Sequence, residues 1–347
     1  MMYSPSLVPR ALPRLLLAAF LALPLIACSD DDFSSHDGGS TPDLRADGGP
    51  IADGPVADGP RADLPEPADG AADLTAKPDS GPDAAVVPFE IRIMAANLTS
   101  GTAQSYTPGH GARIIKAFQP DIVLIQELNY GSNSPSDIAG FVKSTLGAGY
   151  HYYREGGQIP NGVISRWPIL ASGEWNDPEV SNRDFAWARI DIPGPKDLWA
   201  VSVHFLSSQA SKRSREAKAL IAAIEQHVPA GSLLVLGGDF NTKSRTEGCI
   251  VALRQRFTIQ TPYPVDQQGN GNTNANRNSP YDWVITSPSL HALEVPLKVK
   301  SQTFTNGLVF DSREYTPLSD VPPVNFGDSD ATQMQHMAVL RQFRIVP

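Results

Sequence analysis

The sequence predicts a layered α/β domain in residues 89–347. Short apolar runs rich in β-branched residues alternate there with stretches of helical periodicity, and each helical stretch ends at proline or glycine. This part of the chain shows no internal repeat and no second change of composition. Strands and helices interleaved in a single stretch favour a sheet that packs against a second sheet or against helices.

Six apolar runs predict the strands. They occupy residues 91–98, 121–128, 185–192, 198–205, 233–240 and 281–286. Several of these runs lack an alternation of apolar and polar residues, which indicates strands that are buried on both faces. The sheet or sheets that they form should therefore lie inside the domain.

Three helical patterns lie between these runs, at residues 111–119, 136–146 and 211–227. The stretch 261–280 has no such pattern and is rich in Gln, Gly and Asn, which predicts a long loop. Loops of this length inside compact domains usually serve a function or are disordered. The stretch 261–280 is therefore a candidate functional segment.

Residues 1–27 predict an export signal. Arg10 and Arg14 precede an apolar run at 15–27, which is shorter than the roughly 20 residues that a membrane-spanning helix needs. The run ends in Leu-Ile-Ala before Cys28, and this resembles the lipobox of bacterial lipoproteins. We expect Cys28 to carry the lipid that anchors an exported protein to a bacterial membrane, in the periplasm or at the cell surface. The alternative is an ordinary signal peptide followed by an incidental cysteine.

Residues 28–88 predict a solvated spacer between that lipid and the α/β domain. The tripeptide Ala-Asp-Gly recurs four times, and thirteen Asp and one Glu stand against three basic residues. Such a segment cannot bury enough apolar surface to offset the entropy of ordering. Ca²⁺ binding by the Asp-rich repeats is the alternative, although their spacing lacks a regular ligand pattern. Residues 89–347 carry equal numbers of basic and acidic side chains, so charge neither favours nor excludes a polyanionic substrate.

Seven polar residues lie at the ends of the predicted strands. They are Asn97, Glu127, His204, Asp239, Asn241, Asp282 and His336, and His336 begins a last predicted strand at 336–340. A carboxylate that follows a fully apolar strand is costly to bury unless a partner or a metal ion compensates its charge. The repetition of such residues predicts that the strand ends converge on one site.

The order of these residues resembles that of the endonuclease/exonuclease/phosphatase superfamily. Four motifs carry the resemblance: Gln-Glu at 126–127, Asn-Gly-Val-Ile-Ser-Arg at 161–166, Ser-Val-His-Phe at 202–205 and Gly-Asp-Phe-Asn at 238–241. That superfamily includes DNase I, the exonuclease III-type abasic-site endonucleases, inositol polyphosphate 5-phosphatases and neutral sphingomyelinases. The resemblance implies a four-layer α/β sandwich, in which two packed β-sheets are flanked by helices, and metal-dependent hydrolysis of phosphate esters.

The resemblance also implies roles for Asn97, Glu127, Asp239 and Asn241. Glu127 would hold a divalent cation with Asn97 beside it, and their oxygen donors suit Mg²⁺, with Mn²⁺ as the alternative. Asp239 would orient or deprotonate the attacking water, and Asn241 would hold that water or a phosphoryl oxygen. A local turn is the alternative for Asn97 and for the Asp239–Asn241 pair.

Two histidines complete the implied machinery. His336, oriented by Asp282, would donate a hydrogen bond to the phosphate as charge develops in the transition state. His204 would contact the phosphate or the leaving group. Structural hydrogen bonds are the alternative for His204, and a strand cap is the alternative for Asp282.

The sequence departs from the superfamily directly before the last histidine. Many members carry an Asp there that assists metal binding, whereas this chain has Gln335, whose neutral oxygen is a poorer Mg²⁺ ligand. We expect Asp330 to supply the missing carboxylate, with Asp328 as its competitor. The alternative is that both are exposed loop acids and that water takes their place on the metal.

Four residues are predicted to contact the substrate: Asn161, Arg183, Arg215 and Arg277. An Asn-Gly turn and solvated arginines are the alternatives. The basic segment 212–215 at the start of a helix favours a polyanionic substrate. We therefore expect an enzyme that cleaves nucleic acid, with phospholipid or inositol phosphate as the alternative substrate. We expect this enzyme to be a monomer. A hypothesis of another class is a catalytically inactive, lipid-tethered binding module.

Overall fold

The computed structural model describes residues 87–98, 109–330 and 335–346. The predicted signal peptide, Cys28 and nearly all of the spacer lie outside these residues, so those segments and the domain boundary stay predictions. Within the described residues no helix combines the length and the apolar character that crossing a membrane requires.

Strands and helices alternate along the chain. The strands are β1 (Phe89–Asn97), β2 (Ile122–Gln126), β3 (His151–Arg154), β4 (Gly162–Ser165), β5 (Ile169–Trp175), β6 (Phe185–Ile190), β7 (Leu198–His204), β8 (Leu233–Asp239), β9 (Asp282–Thr286), β10 (Glu294–Val295), β11 (Leu297–Val299), β12 (Gln302–Phe304), β13 (Leu308–Phe310) and β14 (Ala338–Ile345). The helices are α1 (His110–Phe118), α2 (Pro135–Thr145), α3 (Ala210–His227), α4 (Gly248–Leu253) and α5 (Pro288–His291), with a 3₁₀ turn at Leu318–Asp320.

Two sheets form the centre of the domain. The first has seven strands in the order β10-β14-β1-β2-β4-β3, with β13 also paired to β14. The second has five strands in the order β5-β6-β7-β8-β9. Each sheet contains one parallel pair, β1 with β2 in the first and β7 with β8 in the second. The remaining strands pair antiparallel to their neighbours.

The core has three apolar layers. The layer between the two sheets contains Ile93, Leu124, Ala200, Val235 and Val339. The outer layers contain Ile114, Phe118 and Phe141, where α1 and α2 pack on the first sheet, and Leu220, Ile224 and Leu253, where α3 and α4 pack on the second. Helix, sheet, sheet and helix therefore stack in order, which confirms the predicted four-layer α/β sandwich.

Local sequence sets the limits of these elements. Ser134 accepts a hydrogen bond from the backbone N–H of Asp137 and so begins α2, with Pro135 in the first turn. The six apolar runs and the three helical patterns form the predicted strands and helices, with ends within two residues of the predicted ones, and the strand predicted at 336–340 is present as β14. The short strands β3, β4, β10, β11, β12 and β13 were not predicted, because two to four residues give too little periodicity to recognise. The seven-residue β5 was also not predicted, because this edge strand contains Ser172, Gly173 and Glu174.

The predicted loop 261–280 contains no helix or strand, but it pairs with the rest of the domain at two isolated bridges. Val265 bridges Leu308, and Asn274 bridges His336. His336 was expected to begin the last strand and instead lies two residues before β14. The reason is that its local partner is the loop residue Asn274 rather than a neighbouring strand.

The parallel pairs determine where the site lies. In the register of β1 with β2, Asn97 is opposite Gln126, and in the register of β7 with β8, His204 is opposite Asp239. Asp239 is in turn opposite Asp282 across the β8–β9 pair. Because the carboxyl ends of parallel strands share one edge of a sheet, polar residues from both sheets meet at the same end of the sandwich.

Candidate active site

Asp239 lies at the centre of this end of the sandwich, and its side chain is 1% exposed. Its Oδ2 accepts hydrogen bonds from the side-chain amides of Asn97 at 3.1 Å and Asn241 at 3.2 Å. Its Oδ1 accepts from the backbone N–H of Asn241 at 2.8 Å. The preceding Gly238 has φ +137°, and a Cβ there would lie 2.0 Å from the carbonyl oxygen of Val203, so only glycine fits this approach of β7 and β8.

Two histidines face the same carboxylate oxygen. Nε2 of His204 lies 3.3 Å and Nε2 of His336 lies 3.6 Å from Oδ2 of Asp239. Nδ1 of His336 lies 3.1 Å from both carboxylate oxygens of Asp282. Nδ1 of His204 is buried and has no hydrogen-bond partner among the described residues. The two rings therefore have different surroundings although they share one neighbour.

These surroundings give the two histidines different charges. Burial by itself lowers the pKa of His336, but the carboxylates of Asp282 and Asp239 outweigh it and raise this pKa to about 10. Burial lowers the pKa of His204 well below its usual value, and the positive charges of Arg183 and His336 lower it further. Burial also raises the pKa of Asp239 to about 7, against the opposing effect of His336. Near neutral pH, His336 is an imidazolium and His204 is a neutral imidazole.

Glu127 lies beside this group. The amide of Asn97, which donates to Asp239, also donates to Oε1 of Glu127 at 3.2 Å. Glu127 has a left-handed backbone with φ +55°, which turns the chain at the end of β2. The side-chain oxygen of the neighbouring Gln126 is buried and has no partner among the described residues. Asn97 therefore links the carboxylate of Glu127, at the end of β2, to that of Asp239, at the end of β8, by hydrogen bonds.

The comparison with known protein families agrees with this geometry. The sequence description of the Endonuclease/Exonuclease/phosphatase family matches residues 112–302, which is more than half of the chain. The chain belongs to this family. Members of the family are enzymes that hydrolyse phosphate esters and use divalent metal ions. None of the curated proteins compared with the chain matches it.

Solved structures with the same fold include an endonuclease/exonuclease/phosphatase family protein from Bacteroides thetaiotaomicron. It is 15% identical, and the alignment covers 75% of this chain and 100% of that one with a TM-score of 0.50. A mannosyl-6-phosphatase from the same organism is 14% identical over 74% of this chain and 100% of that one, with a TM-score of 0.47. TDP2 from D. rerio, complexed with a single-strand DNA product, is 14% identical over 73% and 98%, with a TM-score of 0.49. At these identities the likeness concerns the fold alone.

The donors at the strand ends fit the divalent ion that this family uses. Asp239, Asp282 and His336 each bring one potential ligand atom to within 4.8 Å of the other two. No other group of three or more His, Cys, Asp or Glu residues does so within residues 87–98, 109–330 and 335–346. Glu127 and Asn97 add carboxylate and amide oxygens at the same edge. Two buried carboxylates beside that of Glu127 are a charge distribution that a divalent cation would balance.

The two candidate replacements for the family's metal carboxylate have different surroundings. Asp328 is 2% exposed and accepts a hydrogen bond from Nε of Arg113 at 2.9 Å, with Nδ1 of His110 at 3.1 Å. Burial opposes its ionisation, but these partners hold the pKa of Asp328 below its usual value. Asp328 is thus a buried partner of α1 and neither an exposed acid nor a member of the group around Asp239. Asp330 is also not a member of that group, so its metal role stays a prediction.

Two of the arginines predicted to contact substrate have partners inside the protein, and their contact with substrate stays a prediction. Arg183 is 3% exposed and donates to the carbonyl oxygens of His204 at 2.5 Å and Phe205 at 3.3 Å. Arg277 donates to Asp311 at 2.7 Å and to Asp266 at 2.6 Å. Arg183 therefore fixes the end of β7 beneath His204, and Arg277 closes the loop 261–280 on itself and on Asp311.

The basic start of α3 also has a structural use. Arg213 is 2% exposed and donates to Glu247 at 2.7 Å and 2.9 Å. Arg215 forms a two-point pair with Glu179 at 2.5 Å and 2.8 Å. Acids from two other loops neutralise these arginines. Arg215 lies in an exposed ion pair between α3 and the loop after β5, and its substrate contact stays a prediction.

Asn161 is fully buried, and its side-chain amide donates to the carbonyl oxygen of Asp184 at 2.7 Å. Its side-chain oxygen has no partner among the described residues, so a substrate contact stays a prediction.

Sequence reasoning missed the residue that ties the loop to the site, Thr273. The hydroxyl of Thr273 accepts from the backbone N–H of Asp282 at 2.7 Å, and its carbonyl oxygen accepts from Met337 at 2.7 Å. Thr273 thus aligns the segments that carry Asp282 and His336. The only signal was the unusual length of the loop, which did not single out a residue.

Proposed function

We propose that residues 89–347 form a Mg²⁺-dependent phosphodiesterase that cleaves nucleic acid by in-line attack of water. The observation that carries this proposal is the position of Oδ2 of Asp239, which lies 3.1 Å from the amide of Asn97, 3.3 Å from His204 and 3.6 Å from His336. One carboxylate oxygen between amide and imidazole nitrogens suits a group that positions water beside a phosphate.

Asp239 is the residue that orients the water and takes its proton. Its two oxygens are fixed by the amides of Asn97 and Asn241, and Asn241 is itself held by a hydrogen bond to the carbonyl oxygen of Phe205 at 3.0 Å. Because the donors are already in place, little reorganisation is needed when the water loses its proton.

The two histidines act on the phosphate. His336, kept protonated by Asp282, donates from Nε2 to a phosphoryl oxygen as negative charge develops. His204 is neutral and contacts the phosphate or the leaving-group oxygen. The charged ring of His336 can therefore stabilise the negative charge on the phosphate, while the neutral ring of His204 forms a hydrogen bond to the phosphate or to the leaving-group oxygen.

Glu127 and Asn97 are the residues that would hold the metal ion, with Asp330 as a further candidate. Oxygen donors of this kind suit Mg²⁺, and Mn²⁺ is the alternative. When bound, the ion would supply positive charge that neutralises the phosphoryl oxygens.

Nucleic acid is favoured over phospholipid because the described surface offers little for a lipid. The exposed large apolar side chains are Val87, Leu170, Val251, Phe326 and Val346. Five such side chains among the described residues are few for the contiguous apolar patch that binding to a lipid surface requires.

The proposal includes an exported, lipid-anchored location. Residues 1–27 act as the signal peptide, Cys28 carries the lipid, and the Asp-rich spacer leads to the catalytic domain, which acts as a monomer.

The proposal is tested by incubating the purified full-length protein with DNA, RNA, a phosphoinositide and sphingomyelin, each with Mg²⁺ and with chelator. We expect cleavage of nucleic acid that stops with chelator and returns with Mg²⁺. Cleavage of the phosphoinositide or sphingomyelin alone would contradict nucleic acid as the substrate and would favour a lipid hydrolase. Absence of cleavage of all four substrates would favour an inactive binding module.

A further inference from the structure

The loop that follows Asn241 carries two cations, Lys243 and Arg245, and no carboxylate lies within ion-pair distance of either among the described residues. This contrasts with Arg213, Arg215 and Arg277, which acids neutralise. We propose that Lys243 and Arg245 form a second anion subsite, which binds a phosphate neighbouring the scissile one in a polyanionic substrate. The proposal deepens the phosphodiesterase function and rests on it for the position of the scissile phosphate.

The ring of Tyr281 lies between Lys243 and His336. Nζ of Lys243 is 4.2 Å from the centre of the Tyr281 ring and donates to the Tyr281 hydroxyl. The Tyr281 ring is in turn 5.9 Å from the ring of His336. Lys243 is exposed, so its charge is available to a ligand at the rim of the site. A phosphate next to the one bound by His336 would therefore come within reach of this ammonium group.

Arg245 continues the positive surface away from His336. Its guanidinium lies 5.1 Å from the centre of the Tyr263 ring and 5.9 Å from that of Trp283. It donates to the carbonyl oxygen of Gly271 at 2.6 Å and to the side chain of Asn272 at 3.3 Å. These are neutral acceptors, which orient the guanidinium and leave its charge uncompensated.

The burial of Arg245 makes the missing counter-charge informative. The side chain is partly buried, its Nε has no partner among the described residues, and burial lowers the pKa of Arg245. A partly buried cation without an acid is unfavourable unless a ligand supplies the negative charge. Guanidinium groups oriented by neutral acceptors are well suited to a phosphate oxygen.

Each cation lies over an aromatic ring. Lys243 lies over Tyr281, which directly precedes β9, and Arg245 lies over Trp283, which is two positions further along the chain. Residues two apart along a strand are spaced by about 6.6 Å. The subsite therefore offers two separate positive positions in a row that leads away from His336. Such a row suits successive charges of a polynucleotide better than a compact substrate with a single phosphate.

There is also space for the part of a substrate that lies beyond the scissile bond. Arg245, Tyr263 and Trp283 line a cavity of about 390 Å³, and Asp282 lines it as well. Asp282 also contacts His336, so the cavity adjoins the site at Asp282. The ligand class is thus an oligonucleotide whose next phosphate meets Lys243 and Arg245.

The experiment compares two substrates in the full-length protein with Mg²⁺: decathymidylate, which has neighbouring phosphates, and bis(p-nitrophenyl) phosphate, which has none. We expect Lys243→Ala and Arg245→Ala each to raise KM for decathymidylate at least about fivefold. The dependence of log KM on log salt should become shallower by about 0.7 for each phosphate contact that is lost. KM and kcat for bis(p-nitrophenyl) phosphate should not change.

The matched control is Lys116→Ala. Lys116 is exposed and lies in the last turn of α1, which is followed by the start of β2, at the end of the sandwich opposite the site. An equal effect of Lys116→Ala would show a general charge effect and overturn the subsite. Unchanged decathymidylate KM and salt slope in Lys243→Ala, which is exposed and should not disturb folding, would also overturn it. If the wild-type protein cleaves neither substrate, the phosphodiesterase function fails, and fluorescence anisotropy of labelled decathymidylate with the same variants then decides the subsite by itself.

Discussion

Both carboxylate oxygens of Asp282 lie 3.1 Å from Nδ1 of His336. This two-point contact fixes the imidazole ring and places Nε2 of His336 3.6 Å from Oδ2 of Asp239. Asp282 is itself fixed, because Thr273 accepts a hydrogen bond from its backbone N–H. The charge of His336 and its orientation therefore have the same origin, and a change at Asp282 should affect both.

Asp282→Asn tests this relationship. The amide keeps the shape of the side chain but removes the charge that helps to raise the pKa of His336 to about 10. We expect turnover to fall by about 10²-fold or more and the alkaline limb of the pH–rate profile to move to lower pH. The control is Asp197→Asn, which removes a carboxylate paired only loosely with Arg189 at 3.7 Å. An alkaline limb that stays in place would show that Asp282 does not hold the charge on His336.

Glu216 gives the protein a stability that depends on pH. It is buried on α3 and accepts a hydrogen bond from the backbone N–H of Leu206 at 2.9 Å. Burial and the nearby carboxylate of Asp177 raise the pKa of Glu216 from 4.5 to about 9. The folded protein thus keeps a proton that the unfolded chain releases, so this contribution to stability falls as pH rises from 4.5 to about 9.

Glu216→Gln should remove that dependence, since glutamine is neutral at every pH and can still accept from Leu206. We expect Tm of the variant to exceed that of the wild type by about 2–4 °C at pH 9, and the two to be similar at pH 5. Differential scanning calorimetry across this range measures the effect. Parallel loss of Tm in both proteins would mean that Glu216 is ionised in the fold.

Arg183 and Arg215 should differ in their effect on stability. Arg183→Ala removes the donor to the carbonyl oxygens of His204 and Phe205, and we expect it to reduce the free energy of unfolding by about 3 kcal/mol. Arg215→Ala removes an exposed ion pair with Glu179, and we expect no measurable change. Denaturant titration compares the two. Equal effects would contradict the assignment of Arg183 to the support beneath His204.

The lipid anchor is testable without any assay of activity. We expect the Cys28→Ser protein to leave the membrane fraction when it is expressed in a bacterial host, because the acyl chains that would hold it are absent. The motivation is the Leu-Ile-Ala-Cys sequence after a short apolar run. Unchanged partition of the variant into the membrane fraction would rule out lipidation as the anchor.

The strand ends were predictable from the sequence because apolar strands mark their own limits. Asn97, His204 and Asp239 each end a buried run, and parallel pairing brings such ends to one edge of a sheet. Asp282 and His336 each begin a predicted strand, and the fold places both against Asp239.

The fate of the arginines was not predictable, because their partners are distant in the sequence. Arg213 meets Glu247 across 34 positions, and Arg113 meets Asp328 across 215. Composition shows equal numbers of acids and bases but does not show which of them pair. The unpaired cations Lys243 and Arg245 could be distinguished only after the paired ones had been found in the structure.

The most direct test of the proposed mechanism is the turnover of Asp239→Asn on a phosphodiester at saturating Mg²⁺. The amide is nearly the same size, and the loss of a buried charge should not harm folding, which circular dichroism would verify. If Asp239 orients the water and takes its proton, we expect kcat to fall by at least about 10²-fold. A folded Asp239→Asn protein with a kcat close to that of the wild type would contradict the central role of Asp239.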